Sequence, residues 1–365
     1  MDDQLKSPVI SPCSDTTVLV TFRWRGVAKS TEVGWGLQLP LLRRPGTDLW
    51  EASVELPADL TTIYYFAHDG TAELPTDTSG HGPAHVDPGN PDHLLFPADP
   101  ADPDDRDAWV SRLVLPGAPA ERWSRPDPAV RHGHVTDEFL PGGRRVGVYC
   151  PPGGDPAGRP ALVVFDGYPS QHVLRIPDTL DNLIAADRIP PLVAFFLYSP
   201  EAIRDTELSP SPATTALVTS TLIPWARRRY GISADPAVTT LAGSSRGGLM
   251  AAYIALECPE TFGAVIAQSG SFWWPAPQEG TPGQVIREFA ARPRAPLRLY
   301  LDVGDRETLP GPGGAPSQVT MVRNMRDTLL ARGYPLTYAE YPGGHDYVNW
   351  RRTFADALIA IYGTA

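Results

Sequence analysis

Between Leu241 and Leu256 the chain reads LAGSSRGGLMAAYIAL: an apolar run stops at two serines set among glycines, and an apolar helix-forming run follows at once. The positions from Gly243 to Gly248 hold only glycine, serine and one arginine. A strand that passes directly into a helix through residues this small points to a layered strand-and-helix fold. Gly243-Ser244-Ser245-Arg246-Gly247 matches G-x-S-x-G, the pattern of a nucleophile elbow. There one serine sits at a strained backbone angle, and the residues two before and two after it must lack bulk. An ordinary glycine-rich turn is the competing reading, and the rest of the chain has to choose between them.

The flanking rhythm favours the elbow. From about His134 onward, apolar runs alternate with helical patterns. Candidate strands are Arg145–Cys150, Ala161–Phe165, Leu192–Tyr198, Val238–Ala242, Ala264–Gln268, Leu297–Val303 and Leu336–Tyr341. Several are continuously apolar, as parallel strands covered on both faces should be. Candidate helices are Pro177–Ala186, Thr214–Tyr230, Leu249–Leu256, Ser317–Arg332 and Trp350–Tyr362. This alternation predicts a doubly wound α/β domain. The first third reads differently. Thr17–Gly26, Leu49–Leu56 and Thr61–Ala67 alternate apolar and polar residues between turns, which suggests a small all-β sandwich. A stretch dense in Pro, Asp and Gly follows, including DPGNPDHLLFPADPADPDDRD, and reads as loop or linker, although Trp109 and Leu113-Val114-Leu115 suggest that it packs on something. With 365 residues the chain suits two domains, placed at 1–123 (sandwich and linker) and 124–365 (α/β-hydrolase domain).

The net charge of −11 argues against nucleic-acid and membrane-surface partners. Cys13, Cys150 and Cys258 are scattered, so neither a zinc site nor a disulfide framework is suggested. The start, MDDQLKSPVISP, has no apolar run of signal-peptide length, and a reducing cytoplasm is the expected compartment.

In a doubly wound sheet, reactive groups stand at the carboxyl ends of the strands, and Ser245 falls there. A serine hydroxyl needs a base. Of eight histidines, His345 has the required setting, in Tyr341-Pro342-Gly343-Gly344-His345-Asp346 after the last strand. A carboxylate to orient it should follow Leu297–Val303, where Asp305 and Glu307 stand; Glu307 is favoured because it can reach further from the strand end, with Asp305 as the alternative. The N–H of Arg246 is the expected first oxyanion donor, with Gly167 or Tyr168, in the loop after Ala161–Phe165, as the second. The order serine, acid, histidine is that of α/β-hydrolases.

Three segments resemble the enterochelin (enterobactin) esterases and their esterase-D-like relatives: Ser245-Arg246-Gly247-Gly248-Leu249, Gln268-Ser269-Gly270-Ser271-Phe272-Trp273-Trp274, and Gly343-Gly344-His345-Asp346-Tyr347-Val348-Asn349-Trp350. Val20–Gly26, Asp48-Leu49-Trp50 and Asp87–Pro91 resemble the β-sandwich that precedes the hydrolase domain in the long form of that family. The resemblance implies an intracellular esterase that opens the trilactone of a ferric catecholate siderophore. It implies catalytic roles for Ser245 and His345, maps the acid to Glu307, and needs no cofactor, iron arriving with the substrate. The family's Arg-x-x-Glu-Leu stands at Arg204–Leu208, but Ser209-Pro210-Ser211-Pro212 replaces the helix start expected after it.

Arg246 and Arg204 suit a catecholate anion, and Trp273 and Trp274 offer stacking faces, with core packing as their other reading. A salt bridge to a nearby acid is the other reading of Arg246. His172 is expected to be structural or substrate-facing. A feruloyl or acetyl-type carboxylesterase with a carbohydrate-binding sandwich (Trp24, Trp35, Trp50) and a siderophore-binding protein without turnover are the competing functions. The β domain is a candidate for covering the active site or for forming a homodimer.

Overall fold

The structure is a computed structural model that describes residues 5–363. The chain forms two compact units. One runs to Ala120 and also takes in Pro342–Asn349; the other comprises Glu121–Tyr341 and the stretch from Trp350.

The first unit holds β1 (Val9–Pro12), β2 (Thr17–Arg25), β3 (Thr31–Trp35), β4 (Leu39–Pro40), β5 (Leu42–Arg43), β6 (Leu49–Pro57), β7 (Thr61–His68), β8 (Ala84–His85), β9 (His93–Phe96) and β10 (Ala108–Val114). One sheet has the order β1-β2-β6-β5 and the other β4-β3-β7-β10-β9, with β8 paired to β7. Alternation in β2 turns Val18, Val20 and Phe22 inward, where they meet Leu56 of β6 and Tyr64 and Phe66 of β7 in one core. The Pro- and Asp-rich region expected to be a linker therefore carries two strands. β10 pairs with β7 through Ser111↔Tyr64 and its neighbours, so long-range pairing overrides the local composition.

The second unit holds β11 (His134–Phe139), β12 (Arg145–Cys150), β13 (Ala161–Val164), α1 (Gly167–His172), α2 (Ile176–Ala185), β14 (Val193–Leu197), α3 (Glu201–Glu207), α4 (Pro212–Ala216), α5 (Ile223–Tyr230), β15 (Thr239–Ser244), α6 (Arg246–Glu257), β16 (Ala264–Gln268), α7 (Gln284–Ala291), β17 (Arg298–Gly304), α8 (Gln318–Ala331), β18 (Leu336–Tyr341) and, from Trp350 onward, α9 (Tyr347–Tyr362). Its eight-stranded sheet has the order β11-β12-β14-β13-β15-β16-β17-β18. β12 is antiparallel to both its neighbours; from β14 to β18 every pairing is parallel. β13, β14 and β16 are buried along their whole length, which accounts for their unbroken apolar runs.

Three expectations change. β11, with its mostly exposed side chains, carries no apolar signal and becomes a strand only by pairing with β12. The single helix expected over Thr214–Tyr230 is α4, a π-helical stretch at Leu217–Leu222, and α5. The Ser209-Pro210-Ser211-Pro212 segment does start a helix. Ser211 accepts from the Thr214 N–H, and Pro212 occupies the first helical turn, where its missing N–H costs nothing.

Candidate active site

The glycines around Ser245 are required by space. A Cβ on Gly243 would lie 2.5 Å from the Gly247 carbonyl carbon, and one on Gly248 would lie 3.0 Å from the Gly243 oxygen. β15 and α6 thus touch backbone to backbone across the turn. Ser245 itself takes φ 55°, ψ −121°, a conformation that costs a side-chain-bearing residue about 1–3 kcal/mol. Its N–H is held by the Gln268 carbonyl at 2.9 Å, and its carbonyl accepts from the Ser271 N–H at 2.9 Å. The strained residue is therefore pinned to the end of the neighbouring strand β16. The hydroxyl, half-buried, lies 3.2 Å from Ser271 Oγ. α6 begins at Arg246, so its first N–H groups and the positive end of the helix dipole stand beside that oxygen.

Gly167 and Tyr168 open α1, immediately after β13. A Cβ on Gly167 would lie 2.7 Å from the Phe196 carbonyl carbon, so glycine here lets α1 close onto β14. Asp166 precedes it at φ 52°. Both carboxylate oxygens of Asp166 accept from Arg204, at 2.6 Å from Nε and 2.8 Å from Nη2. Arg204, expected to meet substrate, is committed to fixing this corner; the bidentate pair uses the guanidinium edge that a catecholate would need. Arg204 also lies 3.7 Å from Asp205, whose carboxylate is 3.0 Å from Arg246 Nε. Arg246 Nη1 donates to Ser209 Oγ at 2.8 Å, and its guanidinium lies 5.2 Å from the Trp273 ring centroid. Trp273 belongs to the core, the packing alternative to a stacking face, while Trp274 packs only partly against it. His172 is exposed, with its ring centroid 4.3 Å from that of Tyr168.

The two candidate acids separate clearly. Asp305 is exposed, whereas Glu307 is 6% accessible. Glu307 Oε1 accepts from the Gly304 N–H at 2.8 Å and from Ser269 Oγ at 2.6 Å. Ser269 is in turn held by the Trp350 indole N–H at 3.0 Å and by a hydrogen bond from Gln318 to its carbonyl. Two oriented donors at a buried position hold this carboxylate in one place. Ser269, Ser271 and Asp166 carry this framework, and sequence reading assigned none of them a role. Their visible signal was a Ser-Gly-Ser and an Asp-Gly directly after two strands. Behind them, Asp302 is fully buried, and desolvation pushes its carboxyl up to about 7 despite hydrogen bonds from Thr353, Gln268 and Tyr300.

His345 lies on Pro342–Asn349, the segment that belongs to the first unit. Its ring is exposed and its carbonyl accepts from the Trp35 indole N–H at 3.3 Å. The next residue, Asp346, is fully buried and accepts from Thr62 Oγ1 at 2.9 Å. The domain boundary expected at 123 therefore omits an excursion of the chain, because the histidine segment packs with strands encoded near the start of the sequence. The Cys150 and Cys258 thiols are both pushed up by burial, away from reactive thiolate character.

A family model described as "Putative esterase" matches residues 138–361. The iron(III) enterobactin esterase of Dickeya dadantii (strain 3937) is 32% identical over 347 residues, covering 87% of this chain and 78% of that one. The chain belongs to the enterobactin esterase family. This esterase is also similar to the iron(III) salmochelin esterase of Escherichia coli O6:H1, with 26% identity covering 99% of this chain and 92% of the other. Its fold matches the crystal structure of the enterobactin esterase from Shigella flexneri in the presence of enterobactin, with a TM-score of 0.74, 24% identity, and coverage of 97% of this chain and 95% of that one. A ferulic acid esterase is similar in fold over 64% of this chain and 99% of its own, at a TM-score of 0.52 and 14% identity. Among the described residues no helix is long and apolar enough to cross a membrane.

Proposed function

We propose that this esterase hydrolyses the trilactone backbone of a ferric catecholate siderophore of the enterobactin type. Ser245 is the nucleophile, His345 the general base and then acid, and Glu307 the carboxylate that orients the imidazole. The observation that carries the reading is Ser245 itself, held at φ 55° at a strand end by glycines that cannot be enlarged. What supports a catalytic reading of that strained corner is its surroundings: the hydroxyl is half-buried beside the first turn of α6. Ser245 attacks a lactone carbonyl while His345 takes its proton. The tetrahedral oxyanion is received by the Arg246 N–H and by the Gly167 or Tyr168 N–H, each donor contributing about 3 kcal/mol. His345 returns the proton to the leaving seryl oxygen of the substrate, and water then releases the acid by the same steps. Iron enters as part of the substrate, and ester cleavage by this set of residues uses no cofactor. The expected compartment is the cytoplasm.

Arg246, Trp274 and His172 are the proposed contacts for the catecholate arms. Asp205, the partner of Arg246, is 72% exposed, so an incoming anion competes with a solvated carboxylate. The names of the similar enterobactin and salmochelin esterases support this substrate class. The carbohydrate-module alternative loses its main support. Trp50 is buried in the sandwich core, Trp24 lies 3.9 Å from the His68 ring centroid, and Trp35 stacks on Phe96 at 5.4 Å. These rings face their own unit instead of forming one open surface.

The test is a time course of products from apo and ferric enterobactin, resolved by chromatography, for wild type and Ser245→Ala. Linear trimer, dimer and monomer accumulating only with wild type is the expected result. Turnover of a feruloyl ester with indifference to enterobactin, or trilactone hydrolysis by Ser245→Ala, would overturn the proposal.

A further inference from the structure

The segment that carries His345 has little structure of its own. Within the segment, the Asp346 N–H donates to the Gly344 carbonyl at 3.0 Å, and Asp346 Oδ1 accepts from the Asn349 N–H at 3.1 Å and from Asn349 Nδ2 at 2.9 Å. The sandwich adds contacts of its own. Trp35, at the end of β3, donates its indole N–H to the His345 carbonyl at 3.3 Å. Thr62, in β7, donates to Asp346 Oδ2 at 2.9 Å. Asn349 Nδ2 donates to the Thr61 carbonyl at 3.0 Å. Val348 packs in a small cluster with Ile63 and Val110, and the Tyr347 ring meets Phe96 edge-on at 5.0 Å.

The glycines of this segment have the same meaning. Neither Gly343 nor Gly344 uses the left-handed region. Their value is closeness: a Cβ on Gly343 would lie 2.5 Å from Asn349 Nδ2, and one on Gly344 would lie 3.3 Å from the Gly36 carbonyl. Gly36 answers from the sandwich side, since a Cβ there would lie 2.1 Å from Thr62 Oγ1 and 3.4 Å from Asp346 Oδ2. Glycine stands on both sides of a close backbone approach, with a buried carboxylate and a hydroxyl bonded across it.

We infer that the N-terminal sandwich is the mount of the general base, and that Thr62 and Trp35 are positioning residues for His345, acting through Asp346 and through the His345 carbonyl. The inference rests on the reading of His345 as the base. The physical reason is that an exposed imidazole on a glycine-containing segment must be held to a few tenths of an ångström, and two bonds to that segment come from residues encoded 310 and 284 positions earlier. The all-β unit then serves catalysis directly instead of supplying a separable binding surface.

The test uses the full chain with Thr62→Val, Thr62→Ser and Trp35→Phe, assayed on enterobactin and on p-nitrophenyl butyrate. Thr62→Val keeps the shape of the side chain and removes the donor to Asp346. It should lower kcat on both esters by about 10- to 100-fold with little change in KM, since a small misplacement of a catalytic group costs on that order. Thr62→Ser, which keeps the donor, should restore most of the rate. Trp35→Phe, which keeps the ring and loses the N–H, should show a smaller loss of the same kind. A Thr62→Val enzyme that melts like wild type and keeps its kcat overturns the inference, as does a loss that serine fails to rescue. Should Thr62→Val not fold, an unchanged kcat in Trp35→Phe overturns it and a lowered one supports it. His345→Ala separates the two levels of the argument. If it retains turnover, the assignment of the base has failed. If it is inactive while Thr62→Val is fully active, only the mount has failed.

Discussion

Two serines sit in strained backbone conformations at the carboxyl ends of adjacent parallel strands, and their fates differ. Ser245 follows β15 at φ 55°, and Ser269 follows β16 at φ 44°. The strands pair up to Ser244↔Gln268, so the two corners lie side by side. Ser269 has no accessible surface. Its hydroxyl donates to Glu307 at 2.6 Å and accepts from Trp350 at 3.0 Å, and its N–H donates to the Asp302 carbonyl at 2.9 Å. Ser245 is half-buried, beside the first turn of a helix, with the Ser271 hydroxyl at 3.2 Å. The same residue type at positive φ is a buried structural clamp at one corner, and at the other it is the proposed nucleophile, half-buried beside the first turn of a helix. Strain marks both corners, and only the surroundings tell them apart.

The comparison is broken most sharply by Ser245→Ala, which should reduce kcat by about 10⁴-fold or more, as loss of a nucleophile does; fluorophosphonate labelling should vanish with it. Labelling that persists would move the nucleophile elsewhere. Glu307→Ala comes next. It empties a buried site that Ser269 and the Gly304 N–H serve, and should cost about 10²- to 10⁴-fold in kcat, the range expected for losing a group that orients the base. Asp305→Ala, at an exposed position, should cost far less, and equal small losses in the two variants would instead indicate a serine–histidine pair acting without an acid.

A stability measurement sharpens the contrast between the serines. Ser245→Gly relieves the positive φ and should raise unfolding free energy by about 1 kcal/mol in denaturant while abolishing turnover. Ser269→Gly relieves similar strain but strands Glu307 and the Trp350 indole, and should lower stability by about 1–3 kcal/mol. The same sign in both variants would mean that the hydroxyl of Ser269 holds nothing of consequence.

The smallest expected effect is a pH response in which the two units oppose each other. In the sandwich, His68 Nε2 and His85 Nε2 lie 2.9 Å apart, and His85 Nδ1 lies 2.6 Å from the Val86 carbonyl. Burial first, then the His85 charge, lowers His68 from 6.5 to about 4. The pair is neutral when folded, so its contribution is present above pH 6.5 and is lost as pH falls from there towards 4. Asp302 has the opposite sign: raised by burial from 3.8 to about 7, it favours the folded form below 3.8 and loses that contribution as pH climbs towards 7. Melting followed against pH should show acid destabilisation removed by His68→Gln and alkaline destabilisation removed by Asp302→Asn. Unchanged profiles in the two variants would show that neither group is charged differently on unfolding.

Much of this molecule could be read in advance because burial writes itself into residue type. Continuous apolar runs announced β13, β14 and β16, and the crowding of glycine around Ser245 announced the elbow, since no other residue fits two backbones in contact. What escaped was set by partners distant in the chain. β10 lies among Pro and Asp and is a strand because β7 pairs with it; β11 has no apolar pattern and follows β12. Arg204 had the charge to suit an anionic ligand, and only the position of Asp166 shows that its guanidinium is already taken. Ser269 read as a family signature without a task, because its task is a bond to a carboxylate 38 positions away.

By itself the order of residues determined two domain types, a strained serine at a strand end, and the succession of serine, acid and histidine, all of which depend on local sterics and periodicity. The tertiary structure alone decided that Glu307 and not Asp305 is the buried, clamped carboxylate, and that the segment bearing His345 belongs with the sandwich. Both are outcomes of which surfaces exclude water and which distant donors arrive there, and no local pattern of residue types encodes that.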